Sequence, residues 1–290
     1  MKRILITGAR SYIGTSFKNW VNQWPDKYKV DTVDIRGNDW RDKSFSTYDV
    51  IYHTAAIVHV KEYDIEKYFS VNRDLTVEVA RKAKADGVKQ FVFLSTMGVY
   101  GKDTGTINEN TEPHPTTPYS QSKLEAERLL NELTDESFRV AIIRPPMVYG
   151  KDCKGNYPRL ASMALKLPFF PEIKNERSMI FIDNLSEFVR LVIDKDLSGL
   201  LFPQNKEYVN TSELVQLIAK AHGRELKLTS LFNPCVYLGT KISDTFRKVF
   251  GSYVYDKNIS GGPEELEYET CSFKESIEYT EKLKSREQCR

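Results

Sequence analysis

A tyrosine followed four positions later by a lysine sets a phenol and an ammonium on one helical face. The ammonium can pull the phenol below its ordinary pKa of about 10 and make it a base for an alcohol. The chain shows this spacing four times, at Tyr63/Lys67, Tyr119/Lys123, Tyr237/Lys241 and Tyr253/Lys257, so spacing alone selects none of them. Only Tyr119/Lys123 follows a buried strand-like run that ends in Ser95-Thr96 and belongs to the first half of the expected sheet. In parallel sheets the carboxyl ends of strands face the binding crevice, so the Thr96 hydroxyl and the Tyr119 phenol are expected to converge on one substrate oxygen. The other three pairs read as surface coincidences. The plain alternative for Tyr119 is a packed aromatic beside an exposed lysine.

A second chemical signal is Gly8-Ala9-Arg10-Ser11-Tyr12-Ile13-Gly14, directly after the strand-like Ile4 to Thr7 and before a helical stretch. Glycines there let backbone N–H groups approach a pyrophosphate, and the helix N-terminus adds positive dipole charge. An ordinary glycine turn is the competing reading. Asp34 ends the next strand-like run, where a carboxylate accepts both ribose hydroxyls of NAD and repels the 2′-phosphate of NADP. NAD is therefore expected, with Arg36 two residues on pulling the other way; Asp34 capping a turn is the bland alternative.

These residues need a scaffold, and the apolar pattern supplies one. Ile4–Thr7, Val30–Asp34, Val50–His53, Phe91–Thr96 and Val140–Arg144 read as strands buried on both faces, separated by helical patterns over 64–85 and 118–133. The expected architecture is α/β, a Rossmann-type doubly wound parallel sheet over residues 1–150, with 178–200 returning to it. A smaller mixed α/β substrate domain is expected over 151–290. Within it, Leu231, Cys235, Leu238, Ile242, Phe246, Val249 and Phe250 form an apolar stripe at helical spacing, flanked by Lys241, Arg247 and Lys248. A core-facing helix is the expectation for this stripe; a membrane-surface helix is the other reading.

Composition narrows the class. Forty-two Lys and Arg against 40 Asp and Glu leave a net charge of +2, which supplies no broad basic field for nucleic acid. Cys153, Cys235, Cys271 and Cys289 lie outside any metal-ligand spacing, so reduced thiols in a cytoplasmic protein and no metal are expected. The apolar run near Met1 is too short for a signal peptide, and nothing approaches the ~20 residues that span a bilayer.

Taken in order, these motifs resemble the extended short-chain dehydrogenase/reductase family, in the sugar-nucleotide epimerase/dehydratase branch typified by the UDP-glucose 4-epimerases. The likeness covers about residues 1–220. It implies a cofactor loop at Gly8, Ser11, Tyr12, Ile13 and Gly14, with Asp34 and Ile35 next to it. It implies an adenine-contacting segment Asn38-Asp39-Trp40-Arg41-Asp42, and His53-Thr54-Ala55-Ala56 under the nicotinamide side. Asn72 and Pro145 complete the implied cofactor site. Leu94 to Gly101 matches the strand that carries the catalytic hydroxyl, on Thr96, and Tyr119 and Lys123 match the catalytic pair. Arg177 resembles the arginine that meets the nucleotide diphosphate, and Met147 and Asn156 fall at substrate positions.

Departures are informative. Ser11 replaces the middle glycine and leaves a hydroxyl facing phosphate. Met147 stands where many relatives place an asparagine, and Val58 where some epimerases have lysine. Met97 follows Thr96 where an acid would serve water elimination, which favours epimerase over dehydratase. The implied function is NAD-dependent 4-epimerisation of a nucleotide sugar through a transient 4-keto intermediate. The rivals are a one-way NAD(P)H-dependent 4-keto sugar reductase, an epimerase of a lipid-linked sugar, and a non-enzymatic dinucleotide sensor. Helices over 64–85 and 118–133 suit the homodimer interface that relatives use.

Overall fold

In the computed structural model, which describes residues 1–58, 64–261 and 266–281, the first half runs through β1 (Lys2–Thr7), α1 (Tyr12–Val21), β2 (Tyr28–Val33), β3 (Val50–His53) and α2 (Ile65–Phe69). A π turn (Ser70–Leu75), α3 (Thr76–Ala85), β4 (Gln90–Leu94), a 3-10 turn (Met97–Tyr100), β5 (Gly105–Ile107) and α4 (Pro118–Asn131) follow. The chain continues with β6 (Arg139–Ile143), β7 (Met147–Tyr149), α5 (Tyr157–Lys166), β8 (Phe169–Pro171), β9 (Met179–Phe181), α6 (Ile182–Asp194) and β10 (Gly199–Leu201). It ends with α7 (Thr211–Ala221), β11 (Lys227–Thr229), α8 (Asn233–Ile242), α9 (Asp244–Phe250), β12 (Tyr253–Tyr255), a 3-10 turn (Lys257–Ile259) and α10 (Phe273–Thr280). Tyr63 and Cys289, both singled out from the sequence, lie outside the described residues.

Six parallel strands form the central sheet in the order β10-β6-β4-β3-β1-β2. The chain moves outward from β1 to β2, then crosses back to place β3 on the other side of β1. That reversal opens a crevice at the carboxyl ends of β1 and β3, where such sheets bind ligands. Successive residues of β1 serve opposite layers: Ile4 and Ile6 pack with Tyr52, Val92, Phe188 and Val189, and Leu5 with Ile51, Phe91, Val140 and Leu130. Each such fully buried side chain contributes roughly 1.5–3 kcal/mol, and their two-sided burial explains why the strands read as continuous apolar runs.

Three expectations change. β2 is not buried on both faces, because it is the edge of the sheet; Lys29 and Thr32 are exposed. The helix expected over 64–85 is broken by the π turn, which aims Asn72 inward. The stripe from Leu231 to Phe250 is two helices divided at Ser243, and its apolar residues point outward: Leu231, just before α8, and Leu238 and Ile242 on it are 76%, 62% and 78% exposed. The buried side of α8 is Val236 and Gly239, with the Phe246 ring seated on the glycine; a Cβ there would come within 2.5 Å of it.

The two halves interleave. α6 lies against α1, and β10 extends the central sheet. β12 pairs with β5, while β7 pairs with β9 and β8 with β11, all in parallel. Among the described residues no helix is long and apolar enough to cross a membrane.

Candidate active site

The turn after β1 must let backbone pass close to the turn after β3. Gly8 adopts φ +92°, and a Cβ on it would lie 2.9 Å from the Ala55 backbone. A Cβ on Gly14 would lie 2.8 Å from Thr54 Oγ1 and 2.9 Å from Ile6 Cγ2, so helix α1 sits flush on the strand ends only because that residue is glycine. Ser11 caps α1, its Oγ accepting from the Gly14 N–H at 3.3 Å, which leaves the hydroxyl proton for a ligand. These features give a helix N-terminus open to an anion.

Around this turn lies a cleft of about 660 Å³. Its wall contains Gly8, Ser11, Tyr12, Ile13, Asp34, Ile35, Thr54, Ala55, Ala56, Thr96, Tyr119, Lys123 and Pro145, thirteen of the residues singled out from the sequence. The cleft therefore joins the glycine loop to the phenol–lysine pair.

Lys123 is 2% exposed, its Nζ donating to Leu94 O at 2.8 Å and standing 4.5 Å from the centre of the Phe93 ring. Burial pulls its pKa down to about 7, with the Glu127 carboxylate one turn on opposing that fall. Tyr119 behaves opposite to expectation. Its phenol is pushed up to about 12, first by burial and then by the Tyr68 phenol, whose ring packs edge-on against it. The Lys123 amine faces Leu94 O and the Phe93 ring. Thr96 leaves β4 in extended conformation, and its Oγ1 accepts from the Gly98 N–H at 3.0 Å. A Cβ on Gly98 would lie 3.1 Å from Ser120 Oγ and 3.3 Å from Thr96 Oγ1, which places the threonine hydroxyl beside the first turn of α4 that carries Tyr119.

Behind the wall lie groups to which the sequence reading gave no role of their own. His53 is fully buried between Thr7 and Thr76, and burial, helped by the Lys123 charge, lowers its pKa to about 3. Thr76 donates its hydroxyl to Asn72 O, so His53 Nε2–H donates to Thr76 Oγ1 and Nδ1 accepts from Thr7. Glu127 and Arg144 form a buried pair, with Arg144 Nε 3.0 Å and Nη2 2.5 Å from the carboxylate. Ser95 also donates to Glu127, and Arg144 Nη1 donates to the Tyr100 hydroxyl at 2.9 Å. The signal for this pair was an acid one helical turn beyond Lys123.

Other expected residues stand outside the cleft wall. Asn72 is fully buried; its Oδ1 accepts from Ile57 N at 2.9 Å, and its Nδ2 donates to Ile57 O at 3.0 Å and Ser122 Oγ at 3.2 Å, so it shapes the 54–58 segment. Trp40 is buried with its ring stacked near Phe45, which makes the indole a core element, while Asp39 is exposed. Met147 begins β7 at the edge of the second core, and Asn156 is an exposed residue at the start of α5. Arg177 bridges Val209 and Tyr253 through its backbone and donates from Nη1 to Gly251 O at 2.9 Å. Among the described residues it has no carboxylate within ion-pair distance, and burial lowers its pKa. Conversely, the cleft includes Arg10, Asp152 and Lys154, charged residues near its mouth that sequence reasoning did not select. Asp34 is clasped by Arg36 through its side chain and backbone, which holds the carboxyl well below its usual range.

A family model described as the NAD dependent epimerase/dehydratase family matches residues 4–200. The chain is 32% identical over 249 residues to UDP-glucose 4-epimerase of Vibrio cholerae, covering 76% of each chain. It is 25% identical over 267 residues to the N-acetyl-alpha-D-glucosaminyl-diphospho-ditrans,octacis-undecaprenol 4-epimerase of Escherichia coli O157:H7, covering 86% of this chain and 81% of that one. The fold is similar to that of UDP-glucuronic acid 4-epimerase from Bacillus cereus in complex with NAD, with a TM-score of 0.74 at 21% identity over 97% and 96% of the two chains. The Gly8 cradle, the open N-terminus of α1 and Asp34 fit NAD as the cofactor. With the glycine loop, the switch-point cleft and the family model in agreement over two thirds of its length, the chain belongs to the NAD dependent epimerase/dehydratase family.

Proposed function

We propose that the protein epimerises a sugar at C4, the sugar being carried on a diphosphate. The observation that carries this reading is the placement of Thr96, Tyr119 and Lys123 on the wall of the cleft that begins at Gly8. Bound there, NAD supplies a hydride acceptor in one half-reaction and a hydride donor in the next. Tyr119 Oη accepts the proton of the 4-hydroxyl, and Thr96 holds the same oxygen. Lys123 as ammonium offsets the charge on the phenolate. Rotation of the 4-keto sugar and return of hydride and proton to its other face leave no net redox change.

Arg177, a largely buried guanidinium with no carboxylate within ion-pair distance among the described residues and Asp103 acting on it only from farther off, is the diphosphate contact in this reading. A cation stripped of water gains most from an incoming anion. Met97, not an acid, follows Thr96, so elimination of water has no proton donor at that position. The glycine loop, Asp34, Ile35 and the 54–56 segment hold the cofactor, residues 151–290 other than the outward face of α8 and α9 bear most of the substrate contacts, and Met147 and Asn156 flank the sugar. The reading extends to a cytoplasmic homodimer, paired through the helices over 64–85 and 118–133, that supplies polysaccharide precursors; sedimentation velocity reads the assembly, and a monomer discards it.

One feature favours a second reading, one-way reduction of a 4-keto sugar nucleotide. Arg36 neutralises Asp34 and brings a guanidinium to the ribose end of the cleft, where it suits the extra phosphate of NADPH. Incubation with a panel of UDP-hexoses, followed by NMR of the 4-epimer with and without added NAD, separates the two. An epimerase forms the 4-epimer with catalytic NAD, whereas a reductase forms none and instead consumes NADPH mole for mole when given a 4-keto sugar nucleotide.

A further inference from the structure

We propose that the outward face of α8 and α9 docks on an anionic membrane surface. Of the eleven large hydrophobic side chains exposed among the described residues, seven gather here: Phe169, Leu231, Phe232, Tyr237, Leu238, Ile242 and Phe246. Phe169 and Phe232 stack at 5.6 Å, and Leu238 and Ile242 lie one helical turn apart on the exposed side of α8. Helix α8 is built inside out for a globular protein. Its small residue and one valine face the core, while Leu231, Leu238 and Ile242, one stripe at helical spacing, face outward.

Charge selects the occupant. Residues 220–250 carry six Lys and Arg against two acids, whereas the whole chain carries only +2. Lys227, Lys241 and Lys248 are exposed and have no ion-pair partner among the described residues. An apolar stripe with a basic margin matches the acyl boundary beneath anionic headgroups. A second copy of the same basic face would meet it with like charge. Position agrees as well: α9 ends at Phe250, and Arg177 holds the next carbonyl, that of Gly251, at 2.9 Å, so the platform adjoins the proposed diphosphate contact. That last point rests on the proposed function; the docking argument does not.

The test is flotation of the full chain with vesicles of phosphatidylethanolamine and phosphatidylglycerol, and with phosphatidylcholine alone. The wild type should float with the anionic vesicles and stay down with the zwitterionic ones. Both Leu238→Glu/Ile242→Glu and Lys241→Glu/Lys248→Glu should reduce partitioning by roughly tenfold or more. These side chains are exposed, so the variants should fold and keep wild-type turnover of a soluble UDP-hexose. Wild-type protein that stays down with anionic vesicles overturns the proposal. So does a lipid-free dimer that Leu238→Glu/Ile242→Glu splits, which would make a second copy the occupant. Failure of the epimerase reading shows differently, as no turnover in any variant while flotation persists.

Discussion

A phenol held at about 12 beside a lysine held at about 7 is a poor base until a charge in the cleft changes the balance. Two outcomes follow at this scale. Tyr119→Phe removes the proton acceptor but no wall of the nucleotide end, so NAD titration should be unchanged while turnover falls by roughly 100-fold or more. Retained turnover would reassign the base. Lys123 carries a stability signature as well. Its folded pKa lies below the unfolded value of about 10.4, so the unfolded chain binds more protons between pH ~7 and ~10 and stability rises with pH across that window. Below pH ~7 the full cost of the buried charge is present. Lys123→Met should therefore gain stability relative to wild type most at pH 6 to 7, with the gain shrinking toward pH 10; denaturant titrations at several pH values read the slope. Asp34→Ala should weaken NAD more than NADP, because only NAD offers a 2′-hydroxyl to the carboxylate. Arg36→Ala should weaken NADP more; comparative cofactor titrations decide both.

At the scale of elements, what was legible in the sequence is what local pattern dictates. β1, β3, β4 and β6 announce themselves because both faces are buried, and the Gly8 to Gly14 turn because two close approaches demand glycine. The edge position of β2 is set by which strand pairs beside it, which no window of its own sequence records. The π turn is invisible for a related reason. Its cause is the pair of bonds from Asn72 to the Ile57 backbone, fifteen residues away, and not helix propensity. Asn72→Ala should test that account. Leaving both Ile57 groups and Ser122 without their partner should cost roughly 1–3 kcal/mol in a urea melt and weaken NAD binding, because segment 54–58 lines the cleft. A normal melt with normal NAD affinity would make the π turn incidental. α8 misled for a third reason, since periodicity shows that a helix has an apolar face but not where that face points.

Across the whole molecule, the buried Glu127–Arg144 pair is where α4, the end of β4, the end of β6 and the second half meet. Ser95 and Arg144 both bond Glu127, and the Arg144 carbonyl accepts the Tyr255 hydroxyl at 2.8 Å, which ties β12 to the sheet. Such a pair is weak evidence for stability, yet breaking one side of it is costly, about 3–5 kcal/mol, because a desolvated charge is left alone. Glu127→Leu should show that loss, and the double variant Glu127→Leu/Arg144→Met should recover much of it. Activity should not follow stability. Glu127 is the group that opposes the fall in Lys123 pKa, so without it the lysine titrates lower and is neutral over more of the working range. If the ammonium is the form that stabilises the Tyr119 phenolate, the alkaline limb of kcat against pH must move to lower pH in the double variant even when its melting curve matches wild type. A restored melt with an unmoved alkaline limb would mean that the pair only holds the halves together and leaves the lysine's charge untouched.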